Sequence, residues 1–272
     1  ADSTFFWGVA KTYKLGVALS GGGAKGFAHL GVLQALNEKG LYPEVISGTS
    51  AGSFAGVLYA DGYTPKEILA FFQNKVFREF AEFTIPHGGF FKNDGFRSFL
   101  KKHLRAGTFE ELKIPLRAVA TDIEYGESKV FTGGALIPAV IASCSVPIIF
   151  RPVEINKRYY VDGGLFKNFP LSTIRKECVK IIGVNVSPLT RAEFKSSIKY
   201  IAERSFHYMS VSNTLLDRNL CDYLIESPSL SQYSMFDLDH VEEIYQVGYD
   251  LAINFLEEAK DSLKKDFPDF II

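Results

Sequence analysis

Within its first 60 residues the chain runs twice from a short apolar segment through a glycine cluster into a longer apolar segment, and this constrains the fold most. Lys14 to Leu19 (KLGVAL) predicts a strand, Gly21 to Gly23 a turn, and Phe27 to Lys39 a helix. Glu44 to Ser47 then predicts a second strand, Gly48 to Gly52 a turn, and Ala51 to Ala60 a helix of small residues. Successive strand–turn–helix units imply an α/β fold of three layers, α/β/α, with a mainly parallel central sheet and helices on both faces.

The rest of the chain fits that plan. Thr64, Pro65 and Glu67 form an N-cap, an N1 proline and a capping-box acid ahead of a helix expected to reach about Phe80. Nine phenylalanines lie between Phe71 and Phe99, broken by turn-like His87-Gly88-Gly89 and Asn93-Asp94-Gly95, which suggests an insertion or cap. Leu116–Thr121 with Lys129–Thr132, and Val153–Ile155 with Tyr159–Val161, read as two hairpins. Lys180 to Val186 reads as a buried strand, and the remainder as mainly helical, ending in a helix striped by Val241, Ile244, Gly248, Leu251 and Phe255. A length of 272 residues without repeats or low-complexity linkers is expected to form a single domain over 1–272.

Composition excludes several functions. A net charge of −1 provides no field for nucleic acid. Cys144, Cys178 and Cys221 are odd in number and far apart, which argues against a zinc site or disulfide framework and for a reducing compartment. The longest apolar run, Val140 to Phe150, is too short to span a bilayer. The expected location is the cytoplasm, free or touching a membrane peripherally; a removed upstream signal would leave secretion open.

Chemistry concentrates in three motifs. Gly48 to Gly52 (GTSAG) matches GxSxG between strand and helix, where a sharp turn would expose the Ser50 hydroxyl at a helix N-terminus. By itself GxSxG is as often a small-residue packing turn, so its neighbours matter. Upstream, Ser20 to Gly26 (SGGGAKG) offers backbone N–H groups that could converge on an oxyanion. Gly21, Gly23 and Gly26 also fit GxGxxG, but a dinucleotide fold needs an acid ending the second strand, whereas Glu44 begins it. A P-loop fails because Phe27 follows Gly26. The third motif, Val161 to Gly164 (VDGG), sets Asp162 after a strand with Gly163 and Gly164 behind it; alone it is a turn signal.

The ordered set of glycine loop, GxSxG and DGG resembles the patatin-like phospholipases, and the resemblance extends over about Lys14 to Val186. It includes ATDIEYGE, the block from Ala142 to Val153 and DGGLFKNFP from Asp162 to Pro170. It implies Ser50 as nucleophile, Asp162 as general base, Gly21, Gly22, Gly23 and Lys25 as the oxyanion loop, and no metal or organic cofactor. Gly26, Gly48, Gly52, Gly163 and Gly164 are the motif glycines. The implied substrate is a phospholipid or other acyl-ester lipid. A carboxylate is a weak base near neutrality, so burial beside Ser50 is expected to raise the Asp162 pKa.

A hydrolase triad would add a histidine after the acid, and His207 and His240 meet that order, but each sits on or beside a predicted helix without a local signature. His29 and His103 read as ordinary core or surface residues. His87-Gly88-Gly89 is similar to a lipase oxyanion loop but follows the nucleophile instead of preceding it. Asp122, the rival carboxylate, has turn chemistry as a sufficient explanation. The phenylalanine-rich stretch with Lys101, Lys102 and Arg105 would either line an acyl pocket or fill the core. Rival functions are an acyltransferase or thioesterase using the same serine, or a non-enzymatic lipid-binding module. Nothing in one sequence bears on oligomeric state.

Overall fold

The computed structural model describes residues 12–73 and 94–272. Its centre is an eight-stranded sheet: β1 (Tyr13–Leu19), β2 (Val45–Thr49), β3 (Leu116–Asp122), β4 (Glu127–Phe131), β5 (Val153–Ile155), β6 (Arg158–Asp162), β7 (Cys178–Asn185) and β8 (Tyr223–Glu226). Hydrogen bonding follows the path β5-β6-β3-β2-β1-β7-β8, with β4 also on β3. The β3–β2–β1–β7–β8 core is parallel, and β4, β5 and β6 run antiparallel. Helices flank this mostly parallel sheet, so the α/β expectation holds.

The parallel order follows from the first unit. Between β1 and β2 runs α1 (Phe27–Glu38), which returns the chain so that β2 lies beside β1 in the same direction. Nine of its twelve residues are buried, because α1 packs against α8 (Val241–Glu258) while its apolar side chains join the main core. There the two helix backbones touch: a Cβ on Gly31 would strike Tyr245 O, and one on Gly248 would strike Ala28 O. The buried face of α8 is Val241, Ile244, Tyr245, Gly248, Ala252 and Leu256, while Leu251 and Phe255 of the expected stripe are only partly covered. α9 (Lys260–Asp266) follows it.

Both hairpins form. Asn156 and Lys157 join β5 to β6 at φ 51° and 63°, the doubly left-handed loop whose twist suits two antiparallel strands. The capping box is also present: Thr64 N donates to Glu67 Oε1 (3.1 Å) and Glu67 N to Thr64 Oγ1 (3.2 Å), opening α3 (Pro65–Gln73). The expected continuation to Phe80 lies outside the described residues, as do His87, Phe77, Phe80, Phe83, Phe90 and Phe91.

One expectation needs correction. The second strand runs through Gly48 and Thr49, so the turn into α2 (Ala51–Ala60) shrinks to Ser50 alone. Past Val186 helices predominate between the loops, and β8 adds a parallel edge strand of only four residues, too short to leave a clear pattern. Of the phenylalanines, Phe71 and Phe72 on α3 and Phe96 and Phe99 on α4 (Asp94–His103) pack into the main core with Phe54, with Phe72–Phe99 centroids 5.0 Å apart. For these four the structure shows core packing, Phe72 and Phe99 buried and Phe71 and Phe96 partly so. Among the described residues no helix is long and apolar enough to cross a membrane, and no group of three His, Cys, Asp or Glu side chains could hold a metal ion.

Candidate active site

Strand register explains why two residues 112 positions apart in sequence become neighbours. β4 pairs with β3 over Ala118–Asp122 in one unbroken ladder, so β2 and β6 share the other edge of β3. β2 ends there with Thr49 opposite Val119, and antiparallel β6 ends with Asp162 opposite Ala120. The C-terminal ends of the two strands therefore meet head-on, with Ser50 and Asp162 at the junction. Gly163 lies over Val119 O, where any Cβ would collide, and its pro-Cβ position is 3.1 Å from Thr49 Cγ2.

Ser50 carries the backbone of a sharp elbow. Its φ of 54° and ψ of −121° are unfavourable for a residue with a side chain and cost on the order of 1–3 kcal/mol. The surroundings fix it. Ser50 N donates to Ser143 Oγ (2.8 Å), at the end of α5 (Leu136–Ser143), and Ser143 Oγ donates to Val119 O (2.5 Å). Ser53 Oγ and Phe54 N both donate to Ser50 O. Gly48 and Gly52 permit the close strand–helix crossing, since a side chain on Gly48 would enter the Gly52 backbone and one on Gly52 would strike Leu19 O.

Asp162 is fully buried, and burial pushes its pKa up to about 7, against the opposing effects of the Ser50 hydroxyl and the Gly164 amide. Gly164 N donates to Asp162 Oδ1 (2.7 Å). Asp162 Oδ2 has no hydrogen-bond partner of ordinary length. Ser50 is thus near enough to influence the carboxylate without closing a tight bond, as serine–base pairs often stand before substrate arrives. Cys144 sits beside them, and burial raises its thiol pKa, so it stays protonated.

Upstream, Gly21 lies against Ser50: its pro-Cβ position is 3.3 Å from Ser50 Cβ and would clash with Asn168 Oδ1. Four of the loop's amides are engaged within the protein, Ser20 N donating to Val184 O (3.0 Å), Gly21 N to Asn168 O (3.0 Å), Ala24 N to Met235 O (2.8 Å) and Lys25 N to Gly22 O (3.2 Å). The Gly22 and Gly23 amides have no partner among the described residues. Gly23 takes φ +59° directly under Met235 O, a position only glycine fits. Gly26 packs on Ala51, joining this loop to the elbow helix. The Lys25 side chain is 6% exposed; burial brings its pKa down to about 8, partly countered by Glu203.

Ser50, Gly22, Lys25 and Asn168 open into a cavity of about 400 Å³. Its far wall comes from the loop after β7, from α6 (Ile198–Ser212) through Glu203, Arg204 and His207, and from residues 231–235. Sequence reasoning carried no role for this wall or for Asn168. The latter is 2% exposed with Nδ2 unpartnered, and its only prior mark was its place in DGGLFKNFP.

Other candidates fall into structural roles. Asp122 accepts from Glu124 N (3.1 Å), Tyr125 N (3.0 Å) and Arg158 (3.0 Å), closing the β3–β4 turn. His29 is buried with Nε2 2.7 Å from Ser20 O. His103 packs between the rings of Phe71 and Phe99. His240 is exposed and paired with Asp237 (2.8 Å). Only His207 among the described histidines lines the cavity; burial and the nearby Lys25 and Arg204 cations hold its pKa down to about 4, and its Nε2 has no partner.

A mostly parallel sheet thus brings a serine elbow, a glycine loop and a buried carboxyl together at converging strand ends. The family model for patatin-like phospholipases matches residues 17–174, and the chain belongs to that family. The lysophospholipase NTE1 of Saccharomyces cerevisiae is 27% identical over 285 aligned residues, covering 93% of this chain and 17% of that protein. Patatin-like phospholipase domain-containing protein 7 of Rattus norvegicus is 26% identical, covering 86% of this chain and 20% of the relative. The chain therefore spans about a fifth of the length of these curated relatives. The solved structure of VipD from Legionella pneumophila superposes with a TM-score of 0.52 at 15% identity, over 92% of this chain and 68% of that one, a likeness of fold.

Proposed function

We propose that this chain hydrolyses acyl esters of phospholipids or lysophospholipids with a Ser50–Asp162 dyad. Asp162 Oδ2 accepts the Ser50 proton as Oγ attacks the ester carbonyl, and the oxyanion faces the Gly22 and Gly23 amides, with Lys25 and the Asn168 amide nearby. Collapse of the tetrahedral species breaks the ester C–O bond, and the proton on Asp162 passes to the departing alcohol. Water then attacks the acyl-enzyme, giving its proton to Asp162 and releasing a fatty acid as Ser50 recovers its own. The observation that carries this reading is a fully buried carboxyl, with a pKa brought near neutrality by burial, beside a serine in elbow geometry.

His207 shares the cavity, which keeps a serine–histidine transferase or thioesterase as the second reading. Its imidazolium would face Lys25 and Arg204, so it is poorly suited to taking the serine proton. A lipid-binding module without catalysis is the third. A fluorophosphonate probe separates these: it is expected to label wild-type protein on the peptide carrying Ser50 and to leave Ser50→Ala unlabelled. Labelling elsewhere, or none at all, would overturn the nucleophile assignment.

A further inference from the structure

Helix α6 is amphipathic in the reverse of the usual sense. The face toward the protein carries Glu203, Arg204, His207 and Ser210, which line the Ser50 cavity, with Phe206 as its one large buried apolar anchor. The face toward solvent carries Ile198, Ile201, Tyr208 and Met209, with Ser205 and Ser212 among them. With the loop before it and the short helix α7 (Leu215–Arg218) after it, it presents Phe194, Ile198, Ile201, Met209, Leu215 and Leu216, from 44% to 83% exposed. Surface helices normally bury such a stripe, and a contiguous exposed apolar face marks an interaction site.

Local charge selects the partner. Among the exposed residues leading into this face, the three cations Arg191, Lys195 and Lys199 stand against Glu193, with Arg191 and Lys195 at the rim of the cavity, a basic stretch in a chain of net charge −1. Apolar side chains among cations are what an interfacial helix lays onto an anionic bilayer. A second feature adjoins it: Ile148, β-branched and 63% exposed, holds φ 71° in the turn whose Ile149 and Phe150 pack around Phe206. An unfavourable backbone that leaves an isoleucine in water has no evident use in a protein facing water alone.

We infer that the outer face of α6, continued by Phe194 and α7, is the surface by which this protein docks on an anionic phospholipid bilayer. The inner face of the same helix walls the catalytic cavity, so docking sets that cavity beside the lipid from which an acyl chain must be drawn. The inference rests on the lipid hydrolase reading, but its test does not use catalysis.

Co-sedimentation with vesicles of phosphatidylcholine, with and without phosphatidylglycerol, tests it using Ser50→Ala protein so that vesicles stay intact. Binding is expected to strengthen with phosphatidylglycerol and to weaken with salt. Adding Ile198→Glu and Leu216→Glu together is expected to lower the vesicle partition coefficient on the order of tenfold or more. The same two changes in otherwise wild-type protein are expected to leave turnover of a soluble short-chain ester within about twofold, since neither side chain lines the cavity. Unchanged vesicle binding in the Ile198→Glu/Leu216→Glu protein overturns the inference while leaving the hydrolase reading intact. A wild-type chain that ignores vesicles but self-associates until Ile198→Glu separates it also overturns it, and assigns the face to a second copy. Loss of soluble-ester turnover in wild type would count against the hydrolase and leave the docking result standing.

Discussion

Ser50→Ala is expected to lower kcat/KM on the order of 10⁴-fold or more, and Asp162→Asn on the order of 10²- to 10⁴-fold, toward any acyl ester the protein cleaves. The two losses differ in kind. Removing Oγ abolishes the acyl-enzyme, whereas the asparagine keeps the shape and the bond from Gly164 N but accepts no proton. Ser50→Ala/Asp162→Asn is expected to be little worse than Ser50→Ala alone, because the base serves only the nucleophile and its acyl-enzyme. His240→Ala, which alters an exposed pair with Asp237, is expected to stay within about threefold of wild type. Steady-state kinetics on p-nitrophenyl esters decide it, and Asp162→Asn at wild-type rates would remove Asp162 from the mechanism.

The same substitution is expected to stabilise the fold. The buried Asp162 carboxyl has a pKa of about 7, against about 3.9 for an unfolded aspartate. An acid whose pKa rises on folding keeps its proton more firmly in the native state, so between about pH 4 and 7 the native protein binds more protons than the unfolded chain. Stability therefore falls as pH rises across that window. Over about three units the loss is on the order of 4 kcal/mol, and the Asp162→Asn protein, with no proton to lose there, would not incur it. Thermal melts of Asp162→Asn and wild type should lie close together near pH 4 and separate by several degrees near pH 8, with the variant higher. A gap independent of pH would mean that the Asp162 pKa does not rise on folding.

The elements of the candidate site were legible in the sequence because each needs an unusual local backbone. Two βα units fixed the parallel sheet; GTSAG and VDGG then marked strand ends where only glycine lets the backbones approach. The pairing of Ser50 with Asp162 was not legible from local pattern, because it depends on β6 entering antiparallel on the edge of β3 that β2 vacates at Val119. Resemblance supplied it instead. The cavity wall was hidden for a different reason: α6 turns Glu203, Arg204 and His207 inward and Ile198 and Ile201 outward, so its pattern shows a helix but misleads about which face is buried. The phenylalanine stretch left core packing and an acyl pocket equally open, and the four described members pack into a core around Phe54.

The pH dependence of kcat/KM for a soluble ester tests most directly whether a buried aspartate is the base, because that parameter reports the ionisations of the free enzyme. A vesicle-independent substrate keeps any docking step out of the profile. The rate is expected to rise tenfold per pH unit below about pH 7 and level off above it, as Asp162 loses its proton, and this limb should be absent from the residual activity of Asp162→Asn. A limb centred near the ordinary carboxylate value of about 4, or one near 7 that survives in Asp162→Asn, would contradict the Ser50–Asp162 dyad.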